Sequence, residues 1–195
     1  MRQTTITVQK TVPLLEIRHD DSAESPRSWD NLGYFITKES RYNSPDNHPE
    51  YERIISETWD EASDVENHIE LIKECIPEAI HVVPVSKYEH SGVSYTRGVS
   101  RWWDQWVVGF YIITNESRER MGTEGKYFDQ VIDGELETYT AWANGNVYGY
   151  ILRDESGNEI DSCWWMYSLE EIHEQIDQYD PSWKDEDISD YIIYS

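Results

Sequence analysis

Cysteine is scarce in this chain. Cys75 and Cys163 are the only two in 195 residues. No C-x-x-C pair exists, which excludes a disulfide framework and a cysteine-rich zinc site, and the expectation is two reduced, buried thiols. Positive charge is the second scarcity: 16 Lys and Arg stand against 39 Asp and Glu, a net charge of −23. Such a chain repels nucleic acid phosphates and anionic membranes at long range, so neither direct nucleic acid binding nor membrane association is expected. Long apolar runs are missing too. No stretch approaches the roughly 18 apolar residues of a membrane span, and the opening MRQTTITVQK has no apolar signal core, so the expected site of action is the cytoplasm. There is no internal repeat, low-complexity tract or long linker, and the length fits one domain. A Walker loop, a Rossmann glycine pattern, HExxH and G-x-S-x-G are all absent. That removes the familiar catalytic centres, and no cofactor is expected.

What is plentiful is aromatic. Nine Trp and 14 Tyr supply large apolar bodies for a core. Weak alternation over Thr4–Ile17 suits an edge or half-buried strand. A polar, turn-rich stretch follows, and Tyr34–Thr37 reads as a short strand. Helical spacing then runs from the Asn47–Pro49 start through Tyr51, Ile54 and Trp59, breaks near Ala62–Asp64, and resumes through Val65, Ile69 and Ile72 to Pro77. Three strands are predicted next, at Ala79–Val85, Gly92–Val99 and Trp106–Thr114. The last of them, WVVGFYIIT, is continuous enough for a central position. Asn115 reads as the N-cap of a short helix to Met121, and a longer helix spans Lys126–Trp142. VYGYILR and EIDSCWWMY flank the turn DESGN, which predicts an antiparallel hairpin. Ser168-Leu-Glu-Glu171 matches a capping box and starts a helix that Asp180-Pro181 ends. Strands joined by short turns, without strict alternation with helices, predict an α+β fold: a largely antiparallel sheet of five or six strands with helices packed on one face.

Three blocks carry a family resemblance. They are Glu24-Ser-Pro-Arg-Ser-Trp-Asp-Asn-Leu-Gly33 with Arg41-Tyr-Asn43; Tyr88-Glu-His-Ser-Gly-Val93 with Trp103-Asp104 and Val108-Gly-Phe110; and Glu137-Thr-Tyr139 with Gly145-Asn-Val-Tyr-Gly-Tyr150 and Ile160-Asp-Ser-Cys-Trp164. Covering about half the chain in order, they resemble a widespread family of uncharacterised proteins of tailed bacteriophages and prophages. This chain departs from that pattern in three places. It has Glu89 where an aspartate is usual and Trp165 where a glycine is usual. Tyr95–Ser100 also stands where the stretch is usually Ser-, Thr- and Pro-rich. The resemblance implies a phage or prophage origin and action inside an infected host cell, and implies no reaction.

The acidic excess has three readings: solubility or adaptation to high salt, metal binding, and imitation of a polyanion. Its densest part is the helical region Glu50–Glu74. The candidate partner-binding residues are Glu52, Glu57, Asp60, Glu61, Asp64, Glu66 and Glu70, with Asp185, Glu186 and Asp187 from the acidic tail. Together with the resemblance, they predict a non-enzymatic accessory protein. It would bind and inhibit a host defence or nucleic-acid-processing protein, by nucleic-acid mimicry of the anti-CRISPR or anti-restriction kind. The alternative is an enzyme or a small-molecule- or metal-binding protein built on His90, Asp104, Asp161 and Cys163, where a Cys–His nucleophile or a mixed-donor metal site could form. Against it, DSCWW reads as a strand holding a buried structural thiol. Asp154, Glu155, Ser156, Asn158 and Asp161 fail the calcium-loop template, because Gly157 comes too early, and read as an ordinary turn. Arg101-Trp-Trp-Asp-Gln-Trp106 has the aromatics of a base-stacking platform but not the surrounding charge, which favours core or partner-facing tryptophans. In Ser25–Asn31, Arg27 is expected to bridge a carboxylate within a fold-defining loop, with a ligand or partner loop as the functional alternative.

Overall fold

A computed structural model describes residues 14–39, 43–50, 54, 64–100 and 104–193. The chain divides into two compact units, one comprising Glu24–Asn144 and the other the two flanking segments, Met1–Ala23 with Gly145–Ser195. The fold is α+β, as expected, and its eight described strands form two four-stranded sheets.

In the central unit the strands are β2 (Tyr34–Thr37), β3 (Ala79–Glu89), β4 (Val93–Arg97) and β5 (Gln105–Thr114), following β1 (Leu14–His19) of the other unit. Their spatial order is β2-β5-β3-β4, antiparallel throughout. The central place of β5 follows from its composition, since every residue from Val108 to Thr114 is buried. Successive side chains point to opposite faces, and here both faces are covered. Tyr111 and Ile113 pack with Phe128, Ile132 and Leu136 of α3 (Phe128–Ala143). Phe110 and Ile112 pack with Ile72 and Cys75 of α1 (Val65–Cys75). A strand buried on both faces needs an unbroken apolar run instead of alternation. Gly109 is required by the close approach of β2, because a Cβ there would lie 1.9 Å from the Ile36 carbonyl oxygen.

The helix break expected near Ala62–Asp64 has a physical counterpart at its described end. Asp64 is extended and its carboxylate accepts the Asn67 N–H at 2.9 Å, so a helix starts afresh there. It stops at Ile76, because a residue before proline disfavours helical backbone. The short helix α2 (Asn115–Met121) is capped by Thr114, not by Asn115: Thr114 and Ser117 form a reciprocal capping box. Both residues carry capping chemistry, and only the box partner three positions on distinguishes them.

The chain-terminal unit has the order β7-β6-β1-β8, with β6 (Tyr148–Arg153), β7 (Glu159–Met166) and β8 (Ile192–Ile193). The hairpin β6–β7 is present as expected, and Gly157 takes φ +83° in its turn. Helix α4 (Leu169–Asp177) is capped by Ser168, whose hydroxyl accepts the Glu171 N–H at 3.1 Å. Leu15, Ile17, Tyr150 and Leu152 face Ile172, Ile176 and Trp183, so helical elements cover one face of this sheet. Glu16 and Arg18 alternate with those core positions, which produces the half-buried pattern.

Candidate functional site

Of the carboxylates expected to bind a partner, Glu52, Glu57, Asp60 and Glu61 lie outside the described residues. Glu66 and Glu70 are exposed on α1, opposite its buried Ile72 and Cys75. Asp64 beside them is occupied as the helix cap. Asp185, Glu186 and Asp187 are exposed in the chain-terminal unit, among short 3-10 turns. Asp187 caps the second of these turns by accepting from the Ser189 hydroxyl and N–H, which holds its carboxyl below the ordinary range. The acidic set is therefore divided between the two units, and two of its described members do structural work.

The alternative cluster is divided in the same way. His90 Nε2 stands 3.7 Å from Asp104 in the central unit, whereas Asp161 and Cys163 lie on β7 of the other. Cys75 is buried, as expected, but Cys163 is exposed. Its strand accounts for this: Cys163 pairs with the core residue Tyr150, but β7 is the edge of the sheet, with no described strand beyond it. Asp161 accepts the hydroxyl proton of Tyr150. Burial first, then this bond, pushes the Tyr150 pKa up. Among the described residues no group of three or more His, Cys, Asp or Glu side chains could hold a metal ion. Nor is any described helix long and apolar enough to cross a membrane.

The densest polar construction lies around Arg27, whose side chain is 3% exposed. Its guanidinium donates to Asp46 through Nε and Nη2, to Glu135 at 2.7 Å and Asn31 at 2.9 Å through Nη1, and to the Gly33 carbonyl at 2.7 Å. Glu135 also accepts the Leu32 N–H at 2.7 Å and the Tyr111 hydroxyl, and Asp46 accepts the Phe35 N–H. Burial by itself would lower the Arg27 pKa, but the Asp46 and Glu135 carboxylates hold it raised. The carboxylate bridge expected for Arg27 is present, with two acids that sequence reasoning did not single out. All five guanidinium donor positions face acceptors, so the group pins the 25–35 loop to α3 and the segment before α1.

Lys87 was also missed. It is fully buried on β3, with Nζ 2.5 Å from Glu39 and 2.8 Å from Glu89. Burial would lower its pKa, yet the two carboxylates raise it, so the amine stays charged. One signal was available: Lys87 shares a strand face with Val83 and Val85, and a charge at such an inward position marks a buried pair. A cleft of about 270 Å³ opens beside the Arg27 network, bounded by Trp29, Asn31, Asn47 and Arg120. Arg120 is already turned to the Asn31 carbonyl at 3.0 Å.

The buried ionic groups of the central unit are thus consumed by mutual pairing, and the exposed carboxylates of α1 face solvent. No family model matches the chain, and neither does any curated protein or solved structure.

Proposed function

We propose that this chain is a phage-type acidic accessory protein that binds, and thereby inhibits, a basic host protein of a defence or nucleic-acid-processing system. One observation carries the reading. The buried charges of Arg27 and Lys87 are each enclosed by carboxylates within the fold, while Glu66, Glu70 and Glu74 stand exposed on a helix whose other side is anchored in the core. A core-anchored helix presenting carboxylates to solvent suits recognition of a surface that otherwise meets phosphates. The net charge of −23 would add long-range attraction that weakens with salt.

The test is a host-lysate pull-down followed by elution with heparin, comparing the native chain with Glu66→Gln/Glu70→Gln/Glu74→Gln. Basic nucleic-acid-binding proteins released by heparin, with at least a fivefold lower yield on the triple variant, are the expected result. Equal capture by both proteins would sink the reading.

A further inference from the structure

Strand β4 is the outer strand of the central sheet, and its edge is only partly sealed. Ser94, Thr96 and Gly98 turn their backbone groups toward β3, in line with the bond from the Gly98 N–H to the Pro84 carbonyl at 2.7 Å. Val93, Tyr95 and Arg97 therefore point theirs outward, because the two directions alternate along an antiparallel strand. Side chains from α3 and the residue after it cover the first of these groups. Asn144 accepts the Val93 N–H at 2.8 Å and donates to its carbonyl at 2.7 Å. The Thr140 hydroxyl oxygen accepts the Tyr95 N–H at 3.1 Å. The next pair, the Tyr95 carbonyl and the Arg97 N–H, has no partner among the described residues.

Tyr95 and Arg97 line a cleft of about 410 Å³ between β4 and α3, a volume that suits a small ligand. Buried Leu136 gives the cleft an apolar side. Arg97 closes one end by holding Asp133 through Nε at 2.9 Å and Nη2 at 3.0 Å, and the bond between Thr140 and Tyr95 closes the other. Glu137 lies between Asp133 and Thr140 on α3, exposed and with no ion pair among the described residues.

The open stretch of edge is short. Thr140 caps it on one side, and on the other the strand ends at Arg97, before Gly98 at φ +99°. A partner strand needs a longer row of backbone groups, whereas a small planar ligand needs one acceptor beside one donor. The pair also discriminates by chemistry. A guanidinium or ammonium carries donors only and would set a donor against the Arg97 N–H. A carboxylate or phosphate carries acceptors only, and would meet Glu137 and a net charge of −23. An amino group next to a ring nitrogen or carbonyl satisfies both backbone groups and leaves a second amino proton for Glu137.

We propose that the cleft between β4 and α3 binds a small uncharged ligand through an amino–acceptor edge, as carried by adenine or a primary carboxamide. The Tyr95 carbonyl and Glu137 accept from the amino group, and the Arg97 N–H donates to the neighbouring acceptor. This site is separate from the carboxylates of α1, so it stands or falls independently of the basic-partner reading.

The experiment titrates the full chain with adenosine and with nicotinamide, read by calorimetry and by amide exchange in NMR spectra. Purine riboside, which lacks the amino group, and nicotinate, which replaces the carboxamide by a carboxylate, are the matched controls. Adenosine should bind with a Kd of about 1 mM or tighter, and purine riboside at least tenfold more weakly. Exchange of the Arg97 amide should slow at least tenfold at saturation, while the already bonded Val93 and Tyr95 amides change less. Glu137→Ala should weaken binding at least threefold, and Glu66→Gln/Glu70→Gln/Glu74→Gln should leave it unchanged. Nicotinamide binding that protects Arg97, without adenosine or nicotinate binding, would support the same edge chemistry and assign the carboxamide as its source. Binding by neither ligand overturns the proposal. So does equal binding of purine riboside, full binding by Glu137→Ala, or binding that leaves Arg97 exchange unchanged. Arg97 protection that appears only as the chain self-associates would identify a second copy at this edge and also overturn it.

Discussion

The two sheets solve the same burial problem differently. In the central unit β5 sits between α1 and α3, both faces dry, and among the described residues its charges reach the interior as closed ionic clusters around Arg27 and Lys87. In the chain-terminal unit one face is packed by helical elements, and the other carries Glu16, Arg18 and Arg153 in partly exposed pairs. A polar group on a two-faced sheet has to be satisfied within the protein, whereas one on a single-faced sheet can use water. The central unit therefore satisfies its charges within the fold, whereas the chain-terminal sheet keeps partly exposed pairs on its second face and, among the described residues, an unpaired edge at β7.

Ion-pair deletions sharpen that contrast most. Arg27→Met should cost about 3–5 kcal/mol, because Asp46 and Glu135 are left buried without their counter-charge. Arg153→Met should cost less than about 1 kcal/mol, since its pair with Glu16 is solvent-screened. Urea unfolding of the two variants checks both, and equal losses would break the comparison. Apolar truncations come next. Ile112→Ala removes a fully buried side chain and should cost about 2–5 kcal/mol. Ile151→Ala, half-buried on the outward-facing side of β6, should stay under about 1 kcal/mol. The smallest effect is alkaline. Burial first, then nearby carboxylates, raises the pKa of Tyr95, Tyr111 and Tyr139 in the central unit, Tyr139 to about 12. The folded chain holds these protons more tightly than the unfolded one. Their contribution is therefore complete below the ordinary tyrosine pKa of about 10 and is lost as pH rises through about 12. Hydrogen exchange against pH should show β5 and α3 losing protection in that window, and Tyr139→Phe should soften the loss.

Much of this was legible in residue order. The unbroken run WVVGFYIIT signalled a central strand, the flanks of DESGN a hairpin, and Ser168 with Glu171 a helix start, all from contacts within a few residues. Arg27 could be recognised as a bridging cation, but not its acids: Asp46 is 19 positions away and Glu135 is 108. Nothing local marks either one. Cys163 was misjudged because its aromatic neighbours suggest burial, and only the strand order makes β7 an edge. Nothing local marks Trp165 as strained; that required the register that sets Gly149 against two residues.

By itself, then, the sequence determined the element types, the acidity and the antiparallel hairpin, because hydrophobic period, capping and turn chemistry act over one to five residues. The tertiary structure decided that the strands divide into two sheets and that helices cover both faces of one. It also decided which carboxylates are spent on Arg27 and Lys87, and that Trp165 stands strained and exposed at a sheet edge. Those outcomes depend on strand order and register, which bring together side chains from positions too far apart for any local pattern to record.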